Sequence, residues 1–180
     1  MKDTELLKLL RQETGPKILL EALKLYGTTE LTGVKSNTKI LQWARNNGLK
    51  KSQYSDDDIP WCGLYIAEVV RLSGRTPVKG FLRSRNWVTW GVKSEAAELG
   101  DILVFSRSAT SGHVGIYVGE NDNFFYVLGG NQANTVNITQ IAKNRLLAIR
   151  RPKYINKPAN VRKILLDGFG GDIVVSTNEA

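Results

Sequence analysis

The hydrophobic pattern changes near Gly100, and this change constrains the fold more than any other feature of the sequence. Before Gly100, apolar residues recur at intervals of three and four, which is typical of amphipathic helices. After it, short apolar runs alternate with segments rich in Gly, Asn and Asp, which is typical of antiparallel strands. Helices followed by strands predict an α+β fold, with N-terminal helices packed on an antiparallel sheet of five or six strands.

The first half of the chain predicts four helices and one shorter helix. Three apolar stripes of helical period end at Gly15-Pro16, Gly27 and Asn47-Gly48, where Gly and Pro are common helix terminators. A fourth helix is predicted from Pro60 to Ser73-Gly74. The shorter helix covers residues 81–90.

The second half predicts the sheet and the end of the main domain. Five candidate strands lie at residues 102–105, 113–118, 124–128, 135–138 and 146–149. The Arg151-Pro152 pair is expected to end this domain, so that residues 1–154 form one domain. Residues 155–180 are then a C-terminal tail or a small β-hairpin.

The net charge and the small numbers of Cys and His limit the classes of function that this chain can have. The chain has 25 Lys and Arg against 17 Asp and Glu, and its net charge of +8 favours anionic partners such as nucleic acid, an acidic membrane face or an anionic cell-wall polymer. A single Cys and a single His exclude an intrachain disulfide, a zinc-binding Cys cluster and a two-His metal site. We therefore expect no metal and no cofactor.

The sequence predicts neither a membrane span nor a signal peptide. No stretch approaches the roughly 20 apolar residues that a spanning helix needs. The amino end, Met1–Arg11, is charged at several points and lacks the apolar core of a signal peptide. We expect a chain made in the cytoplasm that has no integral membrane segment.

Cys62 is the candidate nucleophile because of its predicted place at a helix start. It follows Pro60, and Pro favours the first turn of a helix, where backbone N–H groups have no partner within the helix. Such a position lowers a thiol pKa from about 8.5, and the same N–H groups can stabilise an oxyanion. The alternative is a small buried side chain beside Trp61.

His113 is the candidate base, and a base of this kind usually needs an orienting partner. Pairing of Val118 with Asn123 across the intervening turn would place His113 opposite Leu128. The chain then passes through two glycines and brings Asn131 close to the imidazole, where it would accept a hydrogen bond from a ring N–H. Two further amide side chains are alternative partners: Gln132 and Asn134. Simple turn chemistry is another interpretation of this segment.

Five short motifs, in the same order, resemble those of the NlpC/CHAP superfamily of papain-like cysteine peptidoglycan hydrolases. The similarity is greatest to a branch common in bacteriophage and prophage lysis or tail proteins, and it covers about residues 15–152. The motifs are Pro60-Trp-Cys62-Gly, Gly100-Asp-Ile-Leu-Val-Phe105, Gly112-His-Val-Gly-Ile-Tyr-Val-Gly119, Leu128-Gly-Gly-Asn-Gln132 and Arg151-Pro152.

The resemblance implies a papain-like fold and a set of roles. Cys62 is the implied nucleophile, His113 the base and Asn131 the third polar residue. The backbone N–H of Cys62 is the expected oxyanion donor. Trp61 and Gln132 are expected beside the bound substrate. A second oxyanion donor is expected from the preceding loop, with three candidates: Asp58, Tyr54 and Gln53.

The resemblance further implies a thiol hydrolase that cleaves an amide or peptide bond in bacterial peptidoglycan. It would be an endopeptidase or an N-acetylmuramoyl-L-alanine amidase, in a phage endolysin or a virion-associated lysin, and a monomer or part of a phage particle. Such an enzyme would reach the wall after release or delivery by a virion. A secreted bacterial effector is a further possibility.

Three other functions fit parts of the sequence. The first is an inactive relative with a structural or tail-assembly role. The second is a nucleic-acid-binding domain that uses Arg83 and Arg85 beside Trp87 and Trp90, although no recognised signature is present and no nucleic-acid partner is expected. The third is a related thiol acyltransferase, which the order of Cys62 before His113 disfavours within the superfamily.

Overall fold

The computed structural model describes residues 5–31, 33 and 35–166. The helices are α1 (Glu5–Arg11), α2 (Lys17–Lys24), α3 (Thr38–Asn46) and α4 (Cys62–Leu72), and 3₁₀ helices lie at Ser84–Thr89 and Lys143–Arg145. The strands are β1 (Val92–Ser94), β2 (Ile102–Ser106), β3 (Gly112–Glu120), β4 (Phe124–Gln132), β5 (Thr135–Ala142) and β6 (Leu146–Arg151). The predicted α+β class is confirmed.

The six strands form one antiparallel sheet in the order β1-β6-β2-β3-β4-β5. Strands β2 to β5 form a meander, and β6 returns to lie between β1 and β2. The sequence did not predict β1, because its three residues are mostly exposed and show no apolar alternation. This strand exists because β6 offers it backbone hydrogen-bonding partners.

Helix α4 is the central element of the helical layer. All its residues from Cys62 to Val70 are buried, which explains why the segment is apolar almost all round. Its neighbours are α2, α3, β3 and β4. The one acidic residue in this stretch, Glu68, accepts hydrogen bonds from Asn46, Asn47 and Arg71. A buried carboxylate is tolerated there because these donors satisfy it.

The two faces of the sheet pack differently. Alternate residues of β3, from Val114 to Val118, join the large core beneath α4, as the sequence predicted. On the opposite face, Tyr117 packs with a smaller cluster that includes Phe105 and Phe125. The strict alternation along β3 therefore determines which side chains meet the helices.

The predicted pairing of Val118 with Asn123 is wrong. Strand β3 pairs with β4 through Ile116 and Leu128, and the register shifts between Tyr117 and Gly119. The side chain of Asn121 accepts hydrogen bonds from the backbone N–H groups of residues 123 and 124, which closes the turn later than predicted. The observed register moves His113 away from Leu128 and towards the end of β4.

Residues 155–166 lie against the domain. Val161 and Leu166 are buried, and Leu165 forms a parallel bridge with Glu120 of β3. The predicted C-terminal hairpin involved residues 167–175, which lie outside the described residues. Within the described ranges, no helix has both the length and the apolar character that a membrane crossing requires.

A buried ion pair joins the start of β2 to the end of β6. Asp101 has no exposed surface and accepts hydrogen bonds from Nε and a terminal nitrogen of Arg151, at 3.0 and 2.8 Å. Burial raises the pKa of Asp101, although the hydrogen bonds from Arg151 act in the opposite direction. The charged carboxylate therefore depends on Arg151 at neutral pH.

Replacement of Arg151 by Leu is expected to lower the free energy of unfolding at pH 7 by about 3–5 kcal/mol, because it leaves a buried charge without its partner. The matched control is Arg162→Leu, which removes a more exposed partner of Glu13 and should cost about 0–1 kcal/mol. Urea unfolding measures both values. Equal losses in the two variants would contradict the prediction.

The loss in free energy of unfolding caused by Arg151→Leu should also become smaller as the pH falls. Loss of the guanidinium raises the folded-state pKa of Asp101 still further above its unfolded value. An acid with a raised folded pKa stabilises the fold at pH values below its unfolded pKa, and this stabilisation is lost as pH rises through the folded pKa. Urea titrations of both proteins between pH 7 and pH 4 test whether the difference in free energy of unfolding decreases as predicted.

Candidate functional site

Cys62 is the first residue of α4, as the sequence predicted, with Trp61 as the N-cap. It is 6% exposed. Directly beyond it, the backbone of another segment crosses the first turn of the helix. A Cβ atom placed on Gly63 would lie 2.1 Å from the carbonyl oxygen of Phe81 and 2.7 Å from that of Leu82. Only glycine at position 63 permits this approach.

The crossing segment, residues 80–90, is called the bridging segment below. Its fold is held by Trp87, whose indole N–H donates to the carbonyl of Phe81 at 2.9 Å. The middle of the segment lies against the start of β3, where a Cβ on Gly112 would be 3.2 Å from Ser84 Oγ. One short segment therefore contacts both Gly63, next to Cys62, and Gly112, next to His113.

Arg85 extends this contact to the loop that precedes His113. Its guanidinium donates to the backbone carbonyls of Ser108 and Ser111. The sequence suggested no catalytic role for the residues around Trp87. In the structure, they contact both the start of α4 and the start of β3.

His113 is fully buried in β3, opposite Phe105 of β2. Its Nε2 lies 3.0 Å from Oε1 of Gln132. A Cβ on Gly129 would lie 3.0 Å from that ring nitrogen and 2.5 Å from the same Gln132 oxygen. The missing side chain at Gly129 therefore leaves the space in which this hydrogen bond forms.

The surroundings of Gln132 determine which atom faces the ring. Its side-chain nitrogen donates to the backbone carbonyls of Val127 and Asn137, at 3.3 and 2.8 Å. Carbonyl oxygens only accept, so the amide nitrogen must point to them and Oε1 must point to His113. Nε2 of His113 is then the protonated nitrogen of the neutral ring, and Nδ1 is its basic nitrogen.

The predicted hydrogen bond from His113 to Asn131 is not formed, and Gln132 takes that position. Within the described part of the chain, the buried Oδ1 of Asn131 has no hydrogen-bond partner. The reason is the backbone: Asn131 has a φ of 57°, and the β4–β5 register shifts between Gly129 and Gln132. This kink turns the side chain of Gln132 towards the ring. Asn134, the other alternative, is exposed.

Trp61 does not have the exposed face that a substrate contact requires. Its side chain is fully buried, its N–H donates to Glu30 at 3.0 Å, and its ring packs against Trp43. A Cβ on Gly130 would lie 2.8 Å from the Trp61 ring. Because Gly129 contacts His113 and Gly130 contacts Trp61, the glycine pair of β4 links the imidazole to the start of α4.

Two of the three predicted oxyanion donors in the loop before α4 form hydrogen bonds within that loop. The backbone N–H of Asp58 donates to Oδ1 of Asp56, and the hydroxyl of Tyr54 donates to the carbonyl of Ile59, both at 2.9 Å. Burial raises the pKa of Tyr54 well above its ordinary value, so the hydroxyl stays protonated. Gln53, the third candidate, is exposed, and its side-chain oxygen accepts from the backbone of Lys50.

Asp56, Asp57 and Asp58 are the one group of potential metal ligands in the described ranges, with ligand atoms within 4.8 Å of one another. Asp57 is 1% exposed, and its Oδ2 accepts from the backbone N–H groups of Leu31 and Asn37. These bonds tie the loop before α3 to the loop before α4. These bonds give Asp57 a structural role.

No protein-family model matches this chain, and no curated protein matches it.

The tautomer of His113 should depend on Gln132 and be independent of Asn131. Gln132→Met removes the acceptor at similar length, so the neutral ring should lose its preference for a proton on Nε2. The matched control is Asn131→Gly, which removes the other amide and tolerates the positive φ. Nitrogen NMR of the imidazole measures this directly, because His113 is the only histidine. A change in Asn131→Gly alone would contradict the assignment.

Proposed function

We propose that this protein is a papain-like cysteine hydrolase of the NlpC/CHAP type that cleaves an amide or peptide bond in bacterial peptidoglycan. The observation that carries the proposal is that a cysteine at a helix start and a histidine oriented by an amide are connected through one segment. Cys62 begins a buried helix, and His113 has its ring oriented by Gln132. The bridging segment contacts the neighbours of both residues. The motif resemblance supplies the class of reaction.

In the first step, His113 takes the thiol proton of Cys62 on Nδ1, and the sulfur attacks the carbonyl carbon of the scissile amide. A sulfur–carbon bond forms while the carbonyl electrons move to oxygen. When the tetrahedral intermediate collapses, the carbon–nitrogen bond breaks. His113 returns its proton to the leaving amine, which departs as a neutral product.

In the second step, water hydrolyses the thioester. The water oxygen attacks the acyl carbon while His113 accepts a proton from the water. The carbon–sulfur bond then breaks, and His113 returns the proton to the sulfur of Cys62. The products are a carboxylic acid and the regenerated Cys62. Gln132 acts through His113 as a positioning residue, because its carbonyl oxygen holds Nε2–H and so directs Nδ1 to the reacting groups.

The first turn of α4 supplies the stabilisation of the oxyanion. Its backbone N–H groups have no acceptors within the helix and lie at the positive end of the helix dipole. The N–H of Cys62 is the proposed donor. Donors of this kind contribute most where they are already oriented before the reaction, and the buried, closely packed start of α4 meets that condition.

The substrate class follows from the resemblance and agrees with the charge. Peptidoglycan with its attached polymers is anionic, and a chain with a net charge of +8 is attracted to it, less strongly as salt increases. We propose a phage endolysin or virion-associated lysin, with either endopeptidase or N-acetylmuramoyl-L-alanine amidase specificity. The same fold without activity would serve as a structural or tail-assembly part.

Incubation of the protein with purified cell walls should release new muropeptide fragments, which mass spectrometry detects and assigns to one bond. Cys62→Ser should lower the rate of release by at least about 10³-fold, because the nucleophile is lost. His113→Gln should have a similar effect. Circular dichroism checks that both variants remain folded.

Unchanged walls at high doses of the folded wild-type protein would overturn the hydrolase and favour a structural role. Release that persists in Cys62→Ser would overturn the thiol mechanism. The control variant, Lys39→Gln, alters an exposed side chain on α3 and should retain wild-type activity.

A further inference from the structure

The charged residues in one short part of the chain are all basic. Residues 74–94 contain no acidic residue and carry a formal charge of +5. The five basic residues are Arg75, Lys79, Arg83, Arg85 and Lys93. This part includes the whole bridging segment, whose inner side crosses the helix turn at Gly63.

Two adjoining grooves follow the outer side of the bridging segment. The first, about 440 Å³, is lined by Arg75, Trp90 and Lys153, among others. The second, about 500 Å³, is lined by Lys79 and Arg85, among others. Both grooves include Val78 and Thr89, so they form one continuous surface, called the basic groove below.

The cations of the basic groove are not neutralised by carboxylates. In the described part of the chain, no ion pair involves Lys79 or Lys153, which are both exposed. Arg85 donates to backbone carbonyls, and Arg75 lies 5.6 Å from the ring centre of Tyr154. Elsewhere on the surface, basic side chains such as Lys163 pair with Glu or Asp.

We propose that the basic groove binds a phosphodiester-bearing anionic polymer of the cell wall and so holds the wall beside Cys62. Repeated phosphates along a flexible chain match several cations along one open groove, where each contact is electrostatic and sensitive to salt. The choice of a wall polymer among polyanions rests on the proposed function. The groove itself is defined by its charge and its shape.

A single-stranded nucleic acid fits the same groove less well. Proteins that bind such strands combine cations with exposed aromatic rings on which bases stack. The two tryptophans of this region are not exposed in that way: Trp87 is fully buried and Trp90 is 8% exposed. They pack against each other, with ring centres 6.0 Å apart. The groove offers charge without a stacking surface.

The test measures binding to purified poly(glycerol phosphate) at physiological salt, with every protein in a Cys62→Ser background so that binding is measured independently of the proposed activity. The groove variant is Lys79→Gln with Lys153→Gln. The matched control, Lys39→Gln with Lys50→Gln, removes the same charge from exposed positions outside the groove. The groove variant should bind about 10- to 30-fold more weakly, and the control should bind almost as tightly as the parent.

Equal losses in the two double variants, or no loss in either, would overturn the groove as the binding surface. Single-stranded DNA that binds as tightly and depends equally on Lys79 and Lys153 would overturn the wall polymer as partner. The two proposals fail separately: muropeptide release by wild type tests the hydrolase, whereas polymer binding by the inactive background tests the groove.

Discussion

The close approach of the bridging segment to the first turn of α4 is the constraint on which the proposed site depends. Two backbone carbonyls lie where a side chain of residue 63 would begin, so the contact exists only because that residue is glycine. The same segment supports the start of β3 through Ser84 and Arg85. Packing therefore relates a helix start to a strand start that lie about fifty residues apart in the sequence.

The second essential interaction is the orientation of one amide. Backbone carbonyls of Val127 and Asn137 hold the nitrogen of Gln132, and its oxygen must then face His113. In the proposed mechanism, an imidazole held by a fixed acceptor is a more useful base than one that rotates. The kink at Asn131 accompanies this arrangement, and the buried side-chain oxygen of Asn131 has no hydrogen-bond partner among the described residues.

The proposed site and the basic groove lie on opposite sides of the bridging segment. Its inner side packs on the start of α4, and its outer side lines the basic groove. In the two proposals, polymer binding and thiol chemistry both depend on this one segment. The proposals predict that a substitution that disturbs its fold affects both, whereas substitution of Lys79 and Lys153 affects only polymer binding.

Apolar periodicity and glycine positions are local signals, and they were enough to predict the α+β class, most helix ends and the face of β3 that meets the core. They also placed Cys62 at a helix start. Three features required the folded chain: the bond from His113 to Gln132 and not Asn131, the burial of Trp61, and the presence of β1. Those outcomes depend on strand register, a backbone kink and contacts between distant segments, which no local pattern encodes.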